Sequence, residues 1–195
     1  LPFALIGHEY PPDHFEPKSR QPIVYWGTTL IGTVMGEMRV KGMWSKGFGQ
    51  PITSSPVCIG GRAIFGTHVN SVVAIDMITS RQIWAAPTGL YVRSSPALWS
   101  GRVYVGCNDN KLYCILGSSG KILWTYETQG WIESSPAIAD GVVFVGSYDH
   151  HLYAIDARTG KLKWKLKTGF DVASSPTIAG PNVLVSGARL PDVRR

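Results

Sequence analysis

The tripeptide Ser-Ser-Pro begins at Ser54, Ser94, Ser134 and Ser174, and tryptophan recurs at Trp44, Trp84, Trp124 and Trp164, so two unrelated markers share a spacing of 40 residues. Self-similarity at one fixed period means that each unit is a single supersecondary block, which buries its apolar face only by stacking on its neighbours. The 195 residues therefore divide into units at about 20–53, 54–93, 94–133 and 134–173, a partial unit at 174–187, and an N-terminal strand and loop at 1–19, all within one domain.

The best-formed unit predicts its own contents. Short β-type runs lie at Pro136 to Ala139, Val142 to Ser147, His151 to Asp156 and Leu162 to Lys167. Turn residues separate them at Asp140-Gly141, around Tyr148 to His150, and at Thr159-Gly160, where glycine supplies a positive φ cheaply. No stretch holds a helical period, which removes the helical solenoids. Four strands in each repeated unit describe one blade of a β-propeller. The fold class expected is all-β: a partial propeller of about four full four-stranded blades plus two strands of a fifth. After Gly187 the residues "ARLPDVRR" do not read as a third strand. Open strand edges and blade faces follow. The chain is therefore expected to be a piece of a larger propeller or to pair with another copy, most simply as four plus four blades.

The stretch "AIDARTGKLKW", Ala154 to Trp164, is the most complete copy of a motif that drifts elsewhere. "AIDMITSRQIW" keeps Asp76 and Trp84 without the glycine, and "CILGSSGKILW" keeps Gly120 and Trp124 without the aspartate. Asp156 and Thr159 suit hydrogen bonding to the turn backbone. Trp164 is expected to pack between adjacent blades. Such drift marks a scaffold motif.

These units resemble PQQ-like repeats, the blade type shared by quinoprotein alcohol dehydrogenases and by non-enzymatic propellers such as the outer-membrane assembly factor BamB. The resemblance covers residues 54–187 well and 24–53 more loosely, as a blade shortened by one residue. For the dehydrogenases it implies a quinone on a calcium ion, carboxylate and amide ligands, a catalytic aspartate and often adjacent cysteines. Here Cys58, Cys107 and Cys114 are not adjacent and fit small apolar strand positions, while Asp76, Asp149 and Asp156 occupy repeat positions of turn formers. No catalytic, cofactor-binding or metal site is expected, and no cofactor. The reading favoured is a non-enzymatic protein-binding or assembly scaffold. The alternatives are a fragment of a PQQ-dependent quinoprotein dehydrogenase and the sensory ectodomain of a larger receptor. A periplasmic or extracytoplasmic place is implied by the resemblance alone.

Other clusters carry less. His8, Glu9, Asp13, His14 and Glu16 lie among prolines in "GHEYPPDHFEP" and read as a solvated loop. His150 and His151 fall in a turn and are expected to be exposed. Lys161, Lys163, Lys165 and Lys167 alternate with apolar residues and are expected to share one face of an outer edge strand, protecting it from pairing. The preceding unit has no such stripe, so neither a basic belt nor a nucleic-acid partner is expected despite a net charge of +6. No apolar run approaches the roughly 20 residues that cross a bilayer as a helix.

The loop into each new unit builds one end of the disc together with the loop between strands two and three. Three residues before each Ser-Ser-Pro stand Pro51, Tyr91, Trp131 and Asp171, and one residue before it stand Thr53, Arg93, Glu133 and Ala173. Tyr, Trp and Arg dominate interface hot spots. Tyr91, Arg93, Trp131, Glu133 and Asp171 are accordingly the candidate binding face, with a protein as the expected partner.

Overall fold

A computed structural model describes residues 22–24, 27–36 and 39–185, with side chains from residue 47 onward. The segment with His8 to Glu16, the side chain of Trp44, and the residues after 185 lie outside the described residues.

All regular structure among the described residues is antiparallel sheet. Strands β1 (Pro22–Val24), β2 (Gly27–Gly36) and β3 (Arg39–Ile52) make a three-stranded sheet. Three four-stranded sheets follow in chain order: β4 (Val57–Ile59), β5 (Arg62–Thr67), β6 (Ser71–Asp76) and β7 (Gln82–Pro87); then β8 (Ala97–Trp99), β9 (Arg102–Gly106), β10 (Lys111–Leu116) and β11 (Ile122–Glu127). The third comprises β12 (Ala137–Ala139), β13 (Val142–Ser147), β14 (His151–Asp156) and β15 (Leu162–Lys167). β16 (Thr177–Ala179) and β17 (Asn182–Leu184) form a two-stranded sheet. The fold is a partial β-propeller of four-stranded blades.

The middle strands of the three four-stranded blades are apolar on both faces because both faces are covered. Ile64, Val72, Ala74 and Trp84 of one blade meet Val103, Val105, Tyr113 and Ile115 of the next. Tyr104, Leu112 and Cys114 meet Val143, Val145 and Ile155 in the same way. Phe65, Val73 and Ile75 point to the opposite side, toward Ile52 and Phe48 of β3.

The Ser-Ser-Pro repeat has a physical reason. The first serine accepts a hydrogen bond from a glycine N–H of its own blade: Ser54 Oγ from Gly66 at 2.8 Å, Ser94 from Gly106 and Ser134 from Gly146 at 3.1 Å each. The second serine links blades. Ser55 N–H donates to Ser95 Oγ at 2.8 Å, Ser95 N–H to Ser135 Oγ at 2.9 Å, and Ser135 N–H to Ser175 Oγ at 3.0 Å. This relay along the inner strands satisfies backbone groups that the short strands leave without a ladder partner.

Turns form as their sequences dictate. Asp156 Oδ1 accepts from Thr159 N–H at 2.8 Å and Thr159 Oγ1 at 2.8 Å, and Gly160 follows at φ 73. Asp76 and Thr79 repeat the arrangement, with Ser80 in the left-handed position.

Four expectations need correction. The lysines of β15 do not share one face, because Trp164 pairs with Ala154 and Leu162 with Ile155, leaving Lys163 as the extra residue of a bulge. Lys165 and Lys167 stand with Leu162 on one face, since opposing pairs alternate sides. The same bulge recurs in the two preceding blades, at Ile83 and Leu123. Cys107 lies just past β9 rather than on a strand, and Cys58 is exposed. Trp164 is 44% exposed rather than packed between blades. Of the two histidines, His150 is exposed but His151 is half-buried, its Nδ1 lying 2.8 Å from the Asp149 carbonyl oxygen and 3.3 Å from Oδ1.

Candidate functional site

The loop joining two blades is pinned between them by backbone hydrogen bonds. Val92 N–H donates to Thr67 O at 2.9 Å behind it, and Asn108 N–H donates to Tyr91 O at 3.3 Å ahead. The next loop repeats this through Ile132 N–H to Cys107 O and Tyr148 N–H to Trp131 O, at 3.1 and 3.0 Å. A threonine staples each loop start: Thr88 Oγ1 donates to Leu90 O, and Thr128 Oγ1 lies within bonding distance of both Gly130 O and Asn110 O. Asp109 and Asp149 add a clamp. Asp149 Oδ2 accepts from Tyr153 OH at 2.6 Å and from Gln129 N–H of the preceding loop at 2.9 Å, while Asp109 serves Tyr113 and Gly89 likewise. Asp149 is therefore an interblade clamp, not merely a turn former. The sequence carries this signal as Asp-x-x-x-Tyr in "DNKLY" and "DHHLY", which the repeat reading did not use.

On these loops four of the five candidate face residues join one network with their neighbours. Thr53 Oγ1 lies 3.1 Å from His68 Nε2, and the His68 ring stacks on Tyr91 at 5.2 Å between centroids. The Arg93 guanidinium lies over the other partner of that stack, 5.2 Å from the Tyr91 ring centre, and donates to Glu133 Oε1 at 2.9 Å. Glu133 also accepts from Asn108 Nδ2 at 2.8 Å and, through Oε2, from Tyr148 OH at 3.0 Å. Trp131 rests against Tyr148 with ring centres 6.0 Å apart, yet is 46% exposed. Asp171 borders this network through its charge acting on Tyr148 and forms an ion pair with His150 at 3.2 Å. His68, Asn108 and Tyr148 belong to the site and were not foreseen. They share one position in the unit, fourteen residues after the first serine, where side chains differ between repeats.

Glu133 is thus the hub rather than an exposed contact. Burial is the largest single influence and opposes its charge, but the hydrogen bonds from Asn108, Tyr148 and Arg93 together outweigh it and hold the carboxyl below its ordinary value. A lowered folded-state value means that the unfolded chain binds more protons on acidification. The stability Glu133 contributes is full above about pH 4.5, its unperturbed value, and is lost as pH falls through the lowered one. Urea unfolding at descending pH should therefore show a steeper loss below that point in the native chain than in Glu133→Gln. Parallel curves would remove Glu133 from the acid sensitivity.

Burial pushes the Cys107 and Cys114 thiols up to about 11, which suits inert packing residues. Among the described residues, no group of three or more His, Cys, Asp or Glu is placed to hold a metal ion. No helix among them is long and apolar enough to cross a membrane.

A family model described as outer membrane protein assembly factor BamB matches residues 70–190. BamB from Moraxella catarrhalis superposes with a TM-score of 0.72 at 18% identity, over 85% of this chain and 54% of that one. Quinohemoprotein alcohol dehydrogenase from Comamonas testosteroni superposes at 0.55 with 27% identity, over 61% of this chain and 21% of the enzyme. The computationally designed Ika4 protein superposes at 0.65 with 18% identity, over 74% of this chain and 89% of the design. No curated protein sequence matches. The chain thus spans about half of the Moraxella BamB and about a fifth of the dehydrogenase. With a family match over most of its length and four-stranded blades stacked at a period of 40, the chain belongs to the BamB family of PQQ-like repeat propellers.

Proposed function

We propose that this chain is a non-enzymatic scaffold that docks a protein on the face carrying Tyr91, Arg93, Trp131, Glu133 and Asp171, outside the cytoplasm. One observation carries the reading: Leu90, Trp131 and Phe170 are exposed on loops whose backbones are already fixed at both ends. Large apolar side chains held out toward solvent on rigid loops bind with little ordering cost. Arg93, half-exposed and oriented by Glu133 and Tyr91, adds a directed cation beside them. Glu133 positions and does not itself reach the partner.

Peptides selected from a random library on the immobilised chain test this. Binders are expected to lose about 2 kcal/mol or more on the Trp131→Ala chain, the effect of truncating an exposed anchor. They should be indifferent to Arg81→Glu, on the opposite end of the blades. Binders that ignore Trp131→Ala while the variant melts much lower would make Trp131 a packing residue and place the site elsewhere. Titration with PQQ and calcium is expected to give no saturable change in quinone absorbance. Binding near micromolar, about 8 kcal/mol, would overturn the scaffold reading in favour of the dehydrogenase one.

A further inference from the structure

The two ends of the three four-stranded blades carry opposite net charge. At the end that holds Glu133 and its partners, the loops and the strand residues bordering them place Asp109, Glu127, Glu133, Asp149 and Asp171 against Arg93, Lys111 and Lys167. The other end is built by the turns between strands one and two and between strands three and four. There the turns and their bordering residues place Arg62, Arg81, Arg102, Lys121, Arg158 and Lys161 against Asp76, Asp140 and Asp156.

The cations keep the period of the repeat. Arg62 and Arg102 open the second strand of successive blades, and Arg81, Lys121 and Lys161 stand immediately before the fourth strand of all three. The repeat thus sets them at common levels of the disc. Two of the three carboxylates are engaged by turn backbone: Asp76 Oδ1 accepts from Ile78 and Thr79 N–H at 2.9 and 2.7 Å, and Asp156 Oδ1 from Arg158 and Thr159 N–H at 3.1 and 2.8 Å. Among the described residues, none of the six cations forms an ion pair. Arg81, Lys121, Arg158 and Lys161 are exposed. Adjacent turns are also tied together, because Arg102 Nη1 donates to Arg158 O of the next blade at 2.8 Å and the Arg158 guanidinium lies 5.8 Å from the Trp99 ring centre of the preceding one. Ile78, 56% exposed, stands at a turn tip in the same row.

Like charges aligned without counter-charges repel one another and give the fold nothing in return. We propose that this end of the blades docks on a membrane surface of anionic phospholipid, with the cations at the headgroup phosphates and Ile78 dipping among them. A row of cations spread over three blades matches a plane of headgroups, toward which each lysine or arginine adds its own attraction. Single-stranded nucleic acid would call for free aromatic rings on which bases stack, whereas Trp99 at this end already lies under Arg158.

Flotation of the full chain with lipid vesicles tests this. Vesicles of phosphatidylglycerol and phosphatidylcholine in equal parts are expected to carry the chain at low salt, and vesicles of phosphatidylcholine alone are not. Salt at about 1 M, which screens charges beyond about 3 Å, should release it. Arg81→Gln, Lys121→Gln and Lys161→Gln combined should weaken binding about a hundredfold, at about fivefold for each charge removed. Lys111→Gln, Lys165→Gln and Lys167→Gln combined remove the same charge from the other half of the blades and should change binding by no more than about twofold. Circular dichroism and melting confirm that both variants fold, since Arg81, Lys121 and Lys161 are exposed. No flotation with the anionic vesicles, binding that survives high salt, or equal losses in the two variants overturns the proposal. Tighter binding to double-stranded DNA than to the vesicles, lost in the first variant, overturns it in favour of a nucleic-acid surface.

Discussion

Replacing Gly106 by alanine is expected to cost about 3 kcal/mol, near the upper end for overpacking a tight core. The added Cβ would fall 2.2 Å from Ile132 Cγ2 and 2.6 Å from the Ile132 carbonyl oxygen. The second contact decides the magnitude, because a backbone atom does not move aside as a side chain can. Ile132 is held there by its N–H bond to Cys107 O, and Gly106 N–H is held by Ser94 Oγ. Any relief therefore shears the loop off the sheet. Thermal unfolding should fall by about 6–12 °C for a chain of this size. Gly101→Ala is the control: its φ of 74 strains any replacement, but nothing lies within 4 Å, so about 1 kcal/mol is expected. Gly106 itself has no left-handed backbone, so if both variants lose the same amount, the loop yields and the close approach at Gly106 costs little. Ile132→Ala added to Gly106→Ala should restore only part of the loss, because the carbonyl clash remains.

The fold was legible because the strongest repeat markers are also its joints. Ser-Ser-Pro recurs because each serine closes a specific hydrogen bond, and Trp-bearing strands recur because an indole must cover the next turn. Strands β13, β14 and β15 fall where alternation and turn residues place them. The bulge in the outer strand was not legible. "LKWKLK" alternates in sequence whether or not one residue is inserted opposite Ala154 and Ile155, and pairing alone decides which residues share a face. The candidate site was half legible for a related reason. Repeat position identified Tyr91, Arg93, Trp131 and Glu133 as neighbours on loops, but the side chains that organise them come from the second-to-third-strand turns. His68, Asn108 and Tyr148 have no common chemistry, so no period reveals them. Asp171 shows the limit of the argument by position: it is equivalent to Tyr91 and Trp131, yet the ring contacts made by those two are replaced there by an ion pair with His150.

The three described tryptophans of the repeat should respond to alanine in a graded order that follows their surroundings, not their shared motif. Trp84→Ala is expected to cost about 3–5 kcal/mol, the range for emptying a buried aromatic site. It removes a ring that is 8% exposed and leaves Gly117 O without its indole donor. Trp124 should cost less. Its ring covers Gly160 in the same way, but its Nε1 has no hydrogen-bond partner, and Tyr104 OH occupies the equivalent acceptor, Ala157 O, at 2.9 Å. Losing Trp124 therefore forfeits packing and no hydrogen bond, while it frees a buried N–H from an unmet demand. Trp164→Ala should cost about 2 kcal/mol or less, because a ring that is 44% exposed against Phe144 returns only about half of its apolar area to water. Urea unfolding of the three variants at one temperature gives the comparison directly. Equal losses at Trp84 and Trp164 would mean that the β15 face is covered in solution to the same extent as the face of β7.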